Sequence, residues 1–501
     1  MDLVKFLKIR AEKYKGKPLL YDESVPEGIS YQDFDAITDR IAYGLEKMGL
    51  APGDHVAVLH PNSPETLISY YSIIKARSVV IPINPIYTPR EIKFILNNSQ
   101  AKALILHQSF LPRLEEIKGE IPLVKNFIVR KDLETVEEAV AEYLGAPLSS
   151  IKERSFQPEN PAVIFYTSGT TGSPKGVILT HRNFCFGGPN VAQNYGLKES
   201  DVTIAVLPLV HVFCLASPFF GSLSSGGSVV VLERFKPELV FEAIDRYKVT
   251  WFPGVPTMFT YLLSGLEENQ YDLSSLRMGL SGGASLPVEV LREWEEKFQA
   301  EVIEVYGLTE STGLVTANPV YGTRKPGSIG ITVSGVEARV VNKEGRELPQ
   351  GEIGELIFKG PNATPGYFNL AEETQEKIEE GWVHTGDHAW RDEEGYFYIV
   401  GREKELIICG GYNVYPREIE EVLHSHPGVS EVAVIGVSDL AKGEVPKAFV
   451  SLKRGLQVTE GDLLSFCKKN LAAYKIPKIA FLEELPKNTT GKIMKKELPR
   501  E

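Results

Sequence analysis

Cysteine is scarce in this chain. Four cysteines fall among 501 residues, at Cys185, Cys214, Cys409 and Cys467, and no two stand at CxxC spacing. Zinc ribbons and disulfide-stapled scaffolds are thereby excluded. Positive charge is also in deficit. The net charge is −12, which argues against non-specific binding to nucleic acid or to anionic membrane. The opening MDLVKFLKIRAEKYKGK alternates charged and apolar residues and lacks the unbroken apolar core of a signal peptide. A cytoplasmic location is therefore expected. Internal repeats and low-complexity linkers are missing too. One stretch, Val202 to Leu232, lacks Asp, Glu, Lys and Arg and has the length of a membrane span. It contains Pro208, His211, Pro218 and Gly226-Gly227, breakers that divide it into buried strand, loop and helix pieces.

The length calls for more than one core. The first part alternates helix and strand signals. Tyr31 to Met48 carries Phe34, Ile37, Ile41 and Leu45 at helical spacing, and Glu65 to Lys75 reads as a second helix. His55–His60, Val79–Ile83, Ala101–His107 and Val124–Val129 read as strands. Further on come a strand at Val229–Leu232, a helix at Pro237–Tyr247, a strand at Thr250–Phe252 and a helix at Val290–Phe298. Such alternation implies βαβ units and parallel sheets, an α/β fold. From about Gly327 to Val400 the pattern changes to short strands and Gly-rich turns, a small β-rich subdomain. Beyond Gly401 a helix at Arg417–His424, strands at Val432–Val437 and Ala448–Leu452, and a helix opened by Thr459 with Asp462 three residues on suggest a small α+β domain. The boundary is placed at Gly401–Glu405, giving an N-terminal domain 1–401 and a C-terminal domain 402–501.

Chemistry concentrates in Tyr166-Thr-Ser-Gly-Thr-Thr-Gly-Ser-Pro-Lys-Gly176. Glycines let backbone N–H groups approach anionic oxygens, hydroxyls add donors, and Lys175 adds a point charge: a kit for holding polyphosphate. Ala162–Tyr166 and Val177–Thr180 flank it as strands, so the loop joins strand to strand. A Walker loop would need GxxxxGK[ST] followed by a helix, and neither is present. The alternative is a polar hairpin tip.

Weaker signals follow. Tyr306-Gly-Leu-Thr-Glu310 follows a strand-like run and offers Glu310, an oxygen ligand of the kind Mg²⁺ takes, or else an exposed loop acid. Trp382-Val-His-Thr-Gly-Asp387 places an acid after a tight turn, suited to ribose hydroxyls or to capping the turn. Lys492 directly follows Thr489-Thr-Gly491, while Lys495, Lys496 and Arg500 make the same region read as a basic tail. His384 and His388 stand four apart without the HExxH pattern, so a metal pair is not expected. Gly279-Leu-Ser-Gly-Gly283 matches GxSxG and nominates Ser281 as a hydrolase nucleophile. Ala284–Pro287 intervenes before the helix, however, where an elbow needs the helix at once.

The loop TSGTTGSPKG resembles the signature of the adenylate-forming enzymes, and the other motifs follow in that family's order over nearly the whole chain. In detail the chain resembles bacterial long-chain fatty-acid–CoA ligases, through Pro82–Pro89, Leu207–Cys214, Gly254–Met258, Lys325–Gly330 and Gly410–Glu418. The resemblance implies an acid–thiol ligase that uses ATP, CoA and Mg²⁺. It implies that Thr167, Ser168, Gly169, Thr170, Thr171, Gly172 and Lys175 hold the ATP phosphates, and that Gly282, Gly283 and Ala284 line the adenine. Glu304, Tyr306, Gly307 and Thr309 would wrap the nucleotide, Asp387 would take the ribose hydroxyls with Arg402 beside them, and Tyr398 would also bind the nucleotide. Glu310 would bind Mg²⁺, Lys404 would be a hinge for a mobile C-terminal domain, and Lys492 would catalyse adenylation with Glu310, Thr309 and Lys175. His211, Val212, Phe213, Gly254, Val255 and Leu280 would form the acyl pocket. Arg234, Gly410, Gly411 and the basic C-terminal cluster would meet CoA. Some relatives carry lysine where this chain has Ile408, which puts contacts there in doubt. The expected substrate is a medium- or long-chain fatty acid. The rivals are an aryl or other acid, as in 4-coumarate ligases, and loading of a carrier protein. A homodimer and transient membrane contact are both compatible with the sequence.

Overall fold

The computed structural model describes residues 1–130, 156–167, 174–266, 270–440, 442–488 and 491–500. Ser168, Gly169, Thr170, Thr171 and Gly172 of the expected phosphate loop lie outside the described residues, as do Thr489 and Thr490.

Helix and strand alternate as the apolar spacing demands, and the strands pair in parallel, as βαβ crossovers require. A six-stranded sheet runs in the order Asn126–Arg130, Ala103–His107, His55–Leu59, Val79–Pro82, Pro161–Thr167, Lys175–Thr180. Its last pair is the antiparallel hairpin that carries the Ser/Thr/Gly loop, with Thr167 opposite Lys175. A nine-stranded sheet has Glu301–Tyr306, Met278–Ser281, Trp251–Gly254, Val202–Ala205 and Ser228–Val231 side by side and parallel. The helix Pro237–Tyr247 shows how locally this is determined. Proline sets its first turn, it buries Val240, Phe241, Ala243 and Ile244, and it stops where Lys248 turns left-handed.

The charge-free stretch resolves into pieces: strand Val202–Ala205, short helix Val212–Cys214, π-helical Leu215–Phe220 around Pro218, helix Gly221–Ser225 and strand Ser228–Val231. Among the described residues no helix is long and apolar enough to cross a membrane. Side chains alternate across the nine-stranded sheet. Phe252 and Val302 enter one core cluster, whereas Trp251, Met278, Leu280, Ile303 and Val305 enter another on the opposite face.

Strands Glu337–Val341, Gly354–Lys359, Trp382–Arg391 and Phe397–Arg402 form the expected antiparallel β-rich sheet. One detail departs from the sequence reading. Asp387 does not follow a turn but lies inside the long strand Trp382–Arg391. Gly386 takes φ +74 there, and the pairing register slips opposite Glu355–Ile357, which marks a bulge rather than a chain reversal.

The C-terminal part has its own cluster, built from Ile407, Ile419, Leu423, Val434, Phe449, Leu463 and their neighbours. Its two main strands, Val429–Asp439 and Gly443–Leu452, outrun the apolar segments that announced them. Their polar ends are carried by ladder pairing, from Ser438 with Glu444 to Val432 with Val450. Thr459 and Asp462 cap the helix Glu460–Asn470 reciprocally, as their spacing predicts.

Candidate active site

Three parallel strands end together. Gly254 pairs with Ser281, and Ser281 with Glu304. The segments that leave these strands, Val255, Gly282–Ala284 and Gly307, therefore share one carboxyl edge, where open α/β sheets bind ligands. The glycines there are needed. A Cβ on Gly282 would press on Phe213 and Val305 at 3.0 Å, and one on Gly307 would overlap the Gly313 backbone.

Asp387 is brought to this edge from the β-rich sheet. It is buried, yet both its oxygens are engaged. The Tyr306 hydroxyl donates to Oδ2 at 2.6 Å and Arg402 Nε donates to Oδ1 at 3.1 Å. Burial, and then the Asp387 charge, hold the Tyr306 hydroxyl well above the ordinary phenol range. Glu304, two residues before Tyr306 on the same strand, is buried and accepts the Gly327 N–H at 2.9 Å. Burial pushes its carboxyl up to about 7, against the charge of Arg417 and the N–H groups of Gly327 and Leu286. Thr309 opens a short 3₁₀ turn, Thr309–Ser311. Glu310 follows it, and its Oε1 accepts the Tyr367 hydroxyl at 2.7 Å. Lys175 lies 3.6 Å from Glu373.

The last loop folds over the same edge. Thr257, in the helix that follows strand Trp251–Gly254, donates to the Gly491 carbonyl at 2.9 Å. The Lys492 N–H donates to Asn488 Oδ1 at 2.9 Å. The Lys492 side chain keeps access to solvent. Its ammonium is held below the ordinary lysine value by the surrounding protein first and by Arg402 second, while Asp387 and Glu405 oppose. Lys492, Asp387 and Arg402 thus share one electrostatic neighbourhood.

Leu280 is 1% exposed and lies on the apolar face with Trp251, Met278 and Ile303, while Phe213 packs against the clusters on both sides. Val212 and Gly254 are buried, and Val255 meets the Gly283 position at 3.5 Å. His211 is half-buried, its ring Nε2 is enclosed without a partner, and desolvation pushes the ring down to about 4, so it is neutral. Ala284 is exposed at the same edge.

Other expected residues are not gathered here. Tyr398 stacks on Trp390 at 4.2 Å and donates to Asp392 at 3.3 Å, toward the far end of its strand. Arg234 is exposed beyond strand Ser228–Val231. Gly410 and Gly411 form a hairpin tip at φ +58 and +86 with open space around them. Lys404 sits in the short turn Glu403–Glu405. The basic C-terminal cluster is less free than its sequence suggests. Lys495 is paired with Glu405 and Glu420, at 3.2 and 2.8 Å. Ser281 is buried in a strand, its hydroxyl has no partner, and the next helix starts only at Val288. That is not the exposed strand-to-helix turn a hydrolase nucleophile needs. Sequence reasoning passed over Tyr367, Thr257 and Arg417. Each acts on a residue far away in the chain, so no local spacing marks it.

Residues 7–368 match the AMP-binding enzyme family, and residues 418–492 match the AMP-binding enzyme C-terminal domain. The long-chain-fatty-acid–CoA ligase of Bacillus subtilis (strain 168) is 38% identical over 499 residues, covering 93% of this chain and 89% of that protein. The oxalate–CoA ligase of Arabidopsis thaliana is 37% identical over 458 residues, covering 89% and 88%. The crystal structure of an anthranilate CoA ligase in complex with anthranoyl-AMP matches with a TM-score of 0.91 at 30% identity, over 98% of this chain and 95% of that one. The named acids differ widely, but each of these proteins is a CoA ligase. The chain belongs to the AMP-binding, adenylate-forming enzyme family, and is an AMP-forming acid–thiol ligase.

Proposed function

We propose that this ligase activates a linear saturated fatty acid of medium or long chain. Leu280 carries the reading. It stands at the edge where the acyl group would enter, on a face shared with Met278 and Ile303, and offers no partner to a ring hydroxyl. A buried unpaired hydroxyl costs roughly 1–3 kcal/mol, whereas each buried methylene gains about 0.8 kcal/mol.

In the first step a carboxylate oxygen attacks the α-phosphorus of ATP, and the bond to the bridging oxygen breaks. Pyrophosphate leaves with the electron pair, and acyl-AMP remains. In the second step the CoA sulfur, having lost its proton, attacks the acyl carbon and AMP departs. Two anions meet in the first step, so cations must screen them. The Lys492 ammonium is the group we assign to this, with Lys175 on the phosphates. Asp387 takes the ribose hydroxyls. Its two bonds leave lone pairs free, since a carboxylate has about four acceptor sites. Glu310, held through one oxygen by Tyr367, is a hard oxygen donor that would hold Mg²⁺. When bound, the ion neutralises phosphate charge. Thr309 and the Gly282–Ala284 backbone hold the nucleotide. The C-terminal domain from residue 402 rotates about Lys404, so that Lys492 withdraws and CoA enters past Gly410 and Gly411.

One observation favours a second reading, an acid with a polar far end such as a hydroxycinnamate. The Trp251 indole N–H is buried without an acceptor on the same face as Leu280. Competition between octanoate, palmitate and 4-coumarate at equal concentration decides. Octanoyl- or palmitoyl-CoA should dominate. A preference for 4-coumarate overturns the fatty-acid assignment and leaves the two-step chemistry standing.

A further inference from the structure

Arg417 opens the helix Pro416–His424 of the C-terminal part, yet it is bound to the rest of the molecule. Nη1 donates to the Ile399 carbonyl at 2.6 Å and Nη2 to the Gly327 carbonyl at 3.0 Å. Nε donates one turn along its own helix, to Glu421 at 2.9 Å. The side chain is 11% exposed. Gly327 in turn donates its N–H to Glu304, at 2.9 Å, on the strand that ends at Tyr306. The guanidinium therefore sits against the outer wall of the nucleotide edge, joined to two carbonyls on different segments. A planar fork with both ends engaged fixes orientation as well as distance.

Other side chains also reach across between the parts. Thr257 gives one bond to Gly491, and the Tyr261 hydroxyl accepts from Lys487 at 2.6 Å and donates to Glu484 at 3.3 Å. Lys487 is also tied within its own part to Glu431 at 2.9 Å. Of these three, only the Arg417 contact grips two main-chain carbonyls at once.

We propose that Arg417 is a positioning residue, the latch that docks the C-terminal part with Lys492 over Asp387 for adenylation and releases before the CoA step. This rests on the rotation about Lys404 proposed above. Docking also places a positive charge beside the buried Glu304, which favours its ionised form. Release removes that charge, so the latch and the nucleotide wall are coupled through Glu304.

The test separates the half-reactions. Arg417→Ala should lower ATP–pyrophosphate exchange about tenfold, the scale of losing charge-assisted hydrogen bonds, and leave thioester formation from supplied octanoyl-adenylate within about twofold. Arg417→Lys keeps the charge without the fork and should fall between. Glu421→Ala removes the bond within the helix alone and should behave as the parent. Equal losses in both half-reactions, or the same defect in Glu421→Ala, would overturn the latch in favour of a merely structural role. A second readout needs no acid substrate. Spin labels at Glu344→Cys and Leu456→Cys report the distance between the parts in the presence of ATP. The docked distance should lose population in Arg417→Ala, and an unchanged distribution refutes the proposal. Failure of every acid to form an adenylate would instead reject the substrate reading, and the distance measurement would still judge the latch.

Discussion

Glu304 shows how one buried carboxyl ties stability to pH. Its carboxyl is raised by burial to about 7, above the ordinary range near 4.3. The fold therefore prefers the neutral acid. Stability is full below the ordinary carboxyl range and falls as pH rises through about 7, by roughly 3 kcal/mol in all. Glu304→Gln keeps an acceptor for the Gly327 N–H and cannot ionise. Chemical denaturation of the two proteins between pH 5 and 8 should give a falling curve for the parent and a flatter one for the variant. Parallel curves would show that Glu304 does not titrate there. Lys492 is the second residue-scale case. Lys492→Ala should reduce acyl-adenylate formation by a factor on the order of 10²–10³, the usual effect of losing one preorganised charge partner. Thioester formation from supplied acyl-adenylate should persist. The Lys492 ammonium is held below the usual lysine value, so adenylation should decline at a lower alkaline pH than an ordinary lysine would dictate. Equal loss in both half-reactions contradicts the assignment.

Among the elements, legibility followed period and length. The helix Pro237–Tyr247 was readable to the residue because its apolar positions repeat every three to four and proline opens it. The hairpin Ile407–Cys409 and Tyr412–Val414 was not. Each strand has three residues, and Ile408 and Tyr412 are exposed, so no buried face prints an alternation. Thr-Gly-Asp387 looked like a turn because a glycine with positive φ serves a bulge as well as a reversal. The site was legible where a motif is local, as at Gly282–Gly283 and Tyr306–Glu310. It was hidden where a partner comes from afar, as Tyr367 does for Glu310 and Thr257 for Gly491. The surroundings of Tyr398 are hidden for a related reason: only the fold reveals that its hydroxyl turns to Asp392. The turn Glu403–Glu405 carries the prediction at this scale. Lys404→Pro fixes φ there and should slow thioester formation more than pyrophosphate exchange. Normal rates in both half-reactions place the hinge elsewhere.

Over the whole molecule, a net charge of −12 must coexist with three anionic substrates. The protein answers locally. Lys487 and Lys495 are neutralised by Glu431, Glu405 and Glu420, while Lys492 stands at the carboxyl edge in the neighbourhood of Asp387 and Arg402. The central claim is that a fatty carboxylate attacks the α-phosphorus of ATP at this edge. Octanoate labelled with ¹⁸O in both carboxylate oxygens, incubated with the full-length protein, ATP, Mg²⁺ and CoA, tests it directly. The account predicts octanoyl-CoA, AMP carrying one ¹⁸O on its phosphate, and unlabelled pyrophosphate. ADP with labelled inorganic phosphate, or AMP without label, would contradict it.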